Sequence, residues 1–202
     1  HTPIRRQRQM CIRDRYDATM TGTISQNDFI NSRSDQIFVY KYWGVFAARS
    51  SFTASSNNFH NMYRCLDVPE GSGHLLTFEN NEIEYSRGSY DVQLFPIYLV
   101  NDAQDASPTA LIIGNTITNF VNDASSVNDF NGIYARKYDN LIITGNEISN
   151  FAAGIRTLIC DNIDITHNLI KSCKKGIWLY RVYHDANISG NCLLYTSPSP
   201  RD

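Results

Sequence analysis

An all-β solenoid, built of about six stacked coils with three short strands each in the manner of a parallel β-helix, is what this 202-residue sequence predicts. Three observations carry that expectation. A phrase made of an apolar residue, two more residues, Asn, any residue and then Ile or Phe keeps returning, with its Asn at positions 27, 57, 81, 115, 146, 168 and 191. The spacings are 30, 24, 34, 31, 22 and 23, a floor near 22 with variable excess, which describes coils carrying insertions. A second phrase, Gly-Ile, recurs at Gly132-Ile133, Gly154-Ile155 and Gly176-Ile177, with Gly44-Val45 as a looser copy. Between these phrases, apolar residues alternate with polar ones, and no helical face of comparable quality competes.

One clean coil justifies the elements in order. Leu141 and Ile143 alternate with polar neighbours, as do Ile163 and Ile165 one coil later, so a half-buried strand opens the coil. The Gly145-Asn146 corner follows, where Asn is expected because it tolerates a left-handed backbone. Ile148 opens a second strand and Gly154-Ile155 a third. Neighbouring coils pair at about 4.8 Å, which lets equivalent Asn side chains stack into a hydrogen-bonded ladder. A leucine-rich horseshoe would need its Leu-x-x-Leu-x-Leu signature and a propeller longer, regular blades, and neither is present.

The two ends stand outside the repeat. The tail Cys192 to Asp202 resembles the in-frame translation of a transposon-type sequencing adapter, and Arg5 to Arg15 resembles the partner adapter. Residues 1–15 and 192–202 are therefore expected to be non-native, flanking a repeat domain over 16–191 that is a piece of a longer gene product. Removing the six arginines and two aspartates of these ends from 18 basic and 20 acidic residues leaves 12 and 18, a net charge of −6 instead of −2. That balance speaks against a nucleic-acid partner. No apolar run reaches about 18 residues, so no membrane span is expected. Cys65, Cys160 and Cys173 show no CxxC pair and fall at different phases of the repeat, which predicts buried, unpaired thiols.

With these residues in view, the segment from Tyr16 to Asn191 resembles the right-handed parallel β-helix repeat of the pectin-lyase-like superfamily. The resemblance implies the fold and leaves the activity open, because that superfamily holds polysaccharide lyases, glycoside hydrolases, epimerases, phage tailspikes and adhesins. The pectate lyase phrases Trp-x-Asp-His and Arg-x-Pro-x-x-Arg are absent. So is the polygalacturonase set, since Gly73-His74 is followed by Leu75 rather than Gly. No catalytic residue can be assigned from a named enzyme.

The site is expected on the strand that begins Gly-Ile. With Ile133, Ile155 and Ile177 facing inward, the outward neighbours are Tyr134 and Arg136, Arg156 and Leu158, and Trp178 and Tyr180. Phe46, Asp67 and Tyr98 extend the column into earlier coils. Aromatic rings offer flat faces to sugar rings, and Arg offers a planar fork to a carboxylate. Tyr134, Arg136, Arg156, Trp178 and Tyr180 are thus the expected substrate-binding residues, with ordinary strand stacking as the rival explanation. Insertions are expected to border this groove at one corner, chiefly Val121 to Asp129, with a similar excursion from Ser86 to Phe95 and a polar stretch from Asn101 to Pro108.

For a lyase, Arg136, Lys137 and Arg156 would supply charge, and Tyr134 or Lys137 a base if desolvated. For a hydrolase, Asp67, Asp102 and Asp129 are available, with no spacing that singles them out. No cofactor is expected. The oxygen donors of Asn122, Asp123, Asn128 and Asp129 would suit calcium, and a solvated loop explains the same residues. His60, His74 and His184 show no ligand or triad spacing, and Lys174-Lys175 reads as a solvated corner. The functional expectation is a secreted or cell-surface protein that recognises polysaccharide, acidic in kind, with a lyase or related carbohydrate-active enzyme as the sharper form. A non-catalytic adhesin or tailspike-like β-helix and a structural spacer are the alternatives.

Overall fold

The computed structural model describes residues 21–31, 43–46, 51–68, 75–86, 95–101, 107–120 and 130–195. Among these, the chain winds coil by coil through strands of three to eight residues. The first coil holds β1 (Thr21–Ser25), β2 (Asp28–Ile30) and β3 (Trp43–Phe46), and the second β4 (Ser51–Ser55), β5 (Asn58–His60) and β6 (Arg64–Val68). The third holds β7 (Leu75–Glu79), β8 (Glu82–Tyr85) and β9 (Ile97–Val100), and the fourth β10 (Thr109–Ile113), β11 (Thr116–Asn119) and β12 (Asn131–Arg136). The fifth holds β13 (Asn140–Thr144), β14 (Glu147–Ser149) and β15 (Ala153–Cys160), and the sixth β16 (Ile163–Thr166), β17 (Leu169–Lys171) and β18 (Lys175–Val182). Two strands of a seventh follow, β19 (Ala186–Ser189) and β20 (Cys192–Leu194). Three parallel sheets result, ordered β1-β4-β7-β10-β13-β16-β19, β2-β5-β8-β11-β14-β17-β20 and β3-β6-β9-β12-β15-β18. The expected coil count and three-strand coil are what the chain forms. Residues 1–15 lie outside the described residues, while Cys192–Leu194 of the tail continue the second sheet beside Leu169–Lys171.

The alternation read from the sequence is the burial pattern of the strands. Ile143, Ile148, Ile155 and Ile165 are fully buried and share one apolar core with Ile170 and the partly buried Ile177. Each such side chain contributes about 1.5–3 kcal/mol by leaving water. In the early coils the same core is aromatic: Phe29 stacks on Phe59 at 4.7 Å, and Phe59 meets Phe78 at 5.8 Å.

The first corner explains the Asn phrase through the expected side-chain ladder, and not through the expected left-handed backbone at the Asn itself. The left-handed residue is the one before each Asn: Gln26, Ser56, Asn80, Gly114, Gly145, His167 and Gly190 all have φ between 53° and 66°. The Asn itself serves through its side chain. Asn146 donates from Nδ2 to Asn168 Oδ1 at 3.0 Å and to the Ile112 carbonyl at 2.8 Å. Its own Oδ1 accepts the backbone N–H and a side-chain N–H of Asn115, both at 2.9 Å. Both donors and both acceptor sites of a buried amide are thereby used, which offsets its burial. The same geometry links every coil from Asn27 to Asn191, with Nδ2–Oδ1 distances of 2.9–3.1 Å. A partial second ladder, not anticipated, closes the next corner, where Asn150 Nδ2 donates to the Asn119 carbonyl at 2.8 Å.

The Gly-Ile phrase has a steric cause. A Cβ on Gly154 would lie 2.6 Å from Ile170 Cγ2 and 2.9 Å from the Gly176 carbonyl oxygen. Both residues of the phrase therefore point inward as the chain turns the corner. In the second coil Cys65 takes the Gly place, and both it and Leu66 are fully buried. Strict alternation begins only after this doublet.

Candidate functional site

The register of the third sheet assembles the expected column. Phe46 pairs with Asp67, Asp67 with Tyr98, Tyr98 with Tyr134, Tyr134 with Arg156 and Arg156 with Trp178. Beside it, Val100, Arg136, Leu158 and Tyr180 form the next outward column. Tyr134, Arg136, Arg156 and Trp178 are half-exposed and Tyr180 is exposed. All five expected binding residues thus share one face over three consecutive coils.

The contacts within the column change what that face can do. The Tyr98 and Tyr134 rings are parallel within 7° at 5.3 Å, and the Arg64 guanidinium carbon lies 3.6 Å from the Tyr98 centroid. The Arg156 guanidinium carbon sits 5.7 Å from the Tyr134 ring and 4.2 Å from Trp178. Lys175 Nζ lies 3.4 Å from the Trp178 ring centroid. The column is a cation–π stack running along the solenoid, so rings and cations cover one another's faces. This corrects the expectation of flat faces open to sugar rings. What the face offers instead are ring edges, phenol hydroxyls and the N–H donors of the cations.

Two members of the stack escaped the sequence reading. Arg64 and Lys175 each stand just before the inward doublet, three residues ahead of an outward residue, Asp67 and Trp178 respectively. They share one register line with Trp43, Asn131 and Ala153. Strict alternation turns that line inward, but the corner turns Arg64 and Lys175 out. Lys175, though exposed as a solvated corner would be, therefore belongs to the stack through the Trp178 ring. A cation immediately before a Gly-Ile or Cys-Leu doublet was the available signal.

The groups expected to do chemistry are placed as follows. Asp67 is 2% exposed and held by Arg64 at 2.8 Å, so it is not an accessible carboxylate. Burial raises the Tyr134 hydroxyl above the usual phenol range and Tyr98 adds to this, against the lowering effect of Arg156 and Arg136. Tyr134 therefore rests protonated, as a donor and not a base. Lys137 stands past Arg136, at a left-handed corner with φ 58°. Asp102, His74 and the loop from Val121 to Asp129, with its calcium-suited donors, lie outside the described residues. Among the described residues, no three His, Cys, Asp or Glu side chains converge on a metal-binding point. His60 faces Glu84 on the second sheet at 3.9 Å, and His184 faces Asp161 at 3.3 Å. The long connections are not confined to one corner: they fall both between the second and third sheets (Ile30 to Trp43, Tyr85 to Ile97, Asn119 to Asn131) and after the third (Val68 to Leu75, Val100 to Thr109).

Cys65, Cys160 and Cys173 are buried thiols outside any disulfide. Burial pushes the Cys65 thiol up to about 12, although its contact with the Tyr85 hydroxyl lowers it, and pushes Cys173 up to about 11. They belong to the core and not to the site. No helix among the described residues is long and apolar enough to cross a membrane.

No protein of curated function and no solved structure shows significant similarity to the chain. A family model described as the right-handed β-helix region matches residues 43–197, well over half of the sequence. That match and the three parallel sheets agree: the chain belongs to the right-handed β-helix family.

Proposed function

We propose that this chain is the recognition body of a right-handed β-helix protein that binds polysaccharide along the outward face of the third sheet, with acidic glycans as the ligand class. One observation carries the reading. Over three consecutive coils this face presents Arg136, Arg156 and Lys175, while the one carboxylate on its described part, Asp67, is buried and engaged by Arg64. A cation flanked by two aromatic rings is partly desolvated and held in place, which strengthens its bond to a carboxylate or sulfate. The neighbouring phenol and indole edges suit sugar hydroxyls. A polysaccharide ligand of this kind would be met outside the cell or on its surface, which is the location this reading carries.

A lyase or related carbohydrate-active enzyme is the sharper form of this reading. It requires a base beside the bound uronate; Tyr134 rests protonated, and Lys137 stands past the column at a left-handed corner. These placements favour non-catalytic recognition, as in an adhesin or tailspike-like body, over turnover. An array of acidic and neutral glycans probed at two salt concentrations tests the proposal. Retention on uronic-acid or sulfated polymers that weakens with salt is expected. Equal retention on neutral glycans would remove the acidic class, and no retention on any glycan would return the column to a structural stack. Product appearance on the same polymers would move the reading to the enzymatic form.

A further inference from the structure

The outward column beside the cation–π stack is interrupted by an apolar pair. Register sets Arg136 beside Leu158. One step further along each strand the backbone turns left-handed, at Lys137 (φ 58°) and at Ile159 (φ 55°). The chain then turns inward again, with Tyr138 and Cys160 buried. The kink leaves two consecutive residues outside the core in each coil, Arg136-Lys137 in the fourth and Leu158-Ile159 in the fifth, all four partly exposed. β15 is paired on both sides, with β12 and β18, so the fifth-coil pair is framed by the solenoid itself.

Two observations set this pair apart. Ile177, Leu179 and Val182 of the neighbouring strand are partly buried and pack on the core, whereas Leu158 and Ile159 are not among the side chains that do so. Ile159 is also the one β-branched residue among the described left-handed positions outside glycine, the others being Gln, Ser, Asn, Lys, His and Arg. A branched side chain is crowded in that conformation, so the backbone is strained here. The same corner is turned without a branched residue at Lys137 and Arg181. An apolar residue that strains the chain and adds nothing to the core serves something outside it, and strain of this kind gathers where ligands bind.

We propose that Leu158 and Ile159 form a subsite for a small apolar substituent on an acidic glycan, namely an O-acetyl group. The proposal rests on the reading of the third sheet as an acidic-glycan face. Arg136 stands one strand spacing from Leu158, about 4.8 Å, and Arg156 two residues before it on the same strand. The apolar group and the charge that these arginines attract must therefore lie on one sugar or on adjoining ones. An O-acetyl ester meets this requirement, because its methyl can cover Leu158 and Ile159 while the sugar keeps its carboxylate. A methyl ester would consume that carboxylate, and a deoxy sugar would bring none.

Calorimetry of the full 202-residue chain tests this, using an O-acetylated uronic-acid polymer and the same polymer after mild alkaline de-acetylation. Wild type is expected to bind the acetylated polymer about four- to tenfold more tightly. Leu158→Gln and Ile159→Asn should each remove that preference and leave affinity for the de-acetylated polymer where it was. Ile159→Val, still apolar and branched, should retain it. Asn tolerates a left-handed backbone, so Ile159→Asn is also expected to raise the melting temperature by about 2–4 °C. Equal affinity of wild type for the two polymers would overturn the subsite and leave the acidic-glycan face standing. A preference that survives both polar substitutions would do the same. Failure to bind either polymer would remove the face and the subsite together. A lower melting temperature for Ile159→Asn would place Ile159 among the residues the fold needs, and would overturn the proposal.

Discussion

At the corner between the first and second sheets, all seven coils repeat one two-residue connection, and Asn stacks on Asn from Asn27 to Asn191. On the outward face of the third sheet, the same vertical register places Phe46, Asp67, Tyr98, Tyr134, Arg156 and Trp178 in succession. Both regions are columns of side chains one strand spacing apart. In the first, every coil must offer the same donors and acceptors, because any other side chain would strand its neighbours in a buried place. In the second, one side of the column faces solvent and both flanking corners accept insertions, so the residue can change from coil to coil. Uniformity marks what the fold requires, and variety marks where specificity has room.

The largest expected effect tests the uniform column. Asn146→Ala removes five side-chain hydrogen bonds at a residue 1% exposed and leaves the Ile112 carbonyl and the amides of Asn115 and Asn168 short of partners. A loss of about 3–5 kcal/mol is expected, against about 1 kcal/mol for Asn191→Ala at the last described rung. Thermal unfolding, with amide hydrogen exchange to follow each coil, checks both. Equal costs at the two positions would mean that the ladder does not share its load as the geometry requires.

Alkaline pH separates the inside of the solenoid from its surface. Cys65, Cys160 and Cys173 are all raised by burial, from an ordinary 9.0 to about 12 for Cys65 and about 11 for Cys173. Below pH 9 thiols are protonated in folded and unfolded chains alike, and stability is complete. Above it the unfolded chain loses these protons first, so the folded chain binds more protons and stability falls with pH until the folded values are passed. The slope approaches about 1.4 kcal/mol per pH unit for each thiol. Melting temperatures from pH 7 to pH 10.5 should decline accordingly, and replacing the three cysteines by Ala should flatten the decline. A decline of the same slope in that variant would assign it to other groups, the buried Tyr138 hydroxyl among them, which burial also raises.

The contrast between the two columns also explains what the sequence made legible. Asn and Gly-Ile could be seen because the fold demands the same residue in every coil. Tyr134, Arg156 and Trp178 could be placed because they follow that landmark at a fixed step. Arg64 and Lys175 could not, since they precede an inward doublet that breaks the alternation. Nor could the covered ring faces, which depend on side-chain directions within the stack and not on phase. The left-handed residue was misplaced by one position because Gly and Asn are adjacent in the phrase, and only the backbone angles separate their tasks.

Arg156→Ala tests the variable column. It leaves the core untouched and should cost little stability, about 1 kcal/mol for the two ring contacts. Affinity for a uronic-acid polymer should fall by about 1–3 kcal/mol, and more at low salt than at high. Trp178→Ala should fall by a similar amount with a weaker salt dependence, since it removes the ring that holds Arg156 and Lys175 rather than a charge. Calorimetry at two ionic strengths separates them. Binding indifferent to both substitutions would make the column a stacking device and no more.

The smallest effect comes from the next residue along the same strand, and it sharpens the contrast between the two sides of the sheet. Thr157 points inward, is 1% exposed, and its Oγ1 meets no hydrogen-bond partner among the described residues. A hydroxyl taken from water without a partner costs about 1–3 kcal/mol by mutational measure, and Val has nearly the same shape and the same preference for strands. Thr157→Val should therefore stabilise the solenoid by about 1 kcal/mol, raising its melting temperature by a few degrees. Glycan affinity should not move, because the side chain lies behind the sheet from Arg156. A loss of stability on this substitution would show that the hydroxyl is satisfied, most simply by a buried water. A change in affinity would show that the inner and outer sides of the strand are coupled.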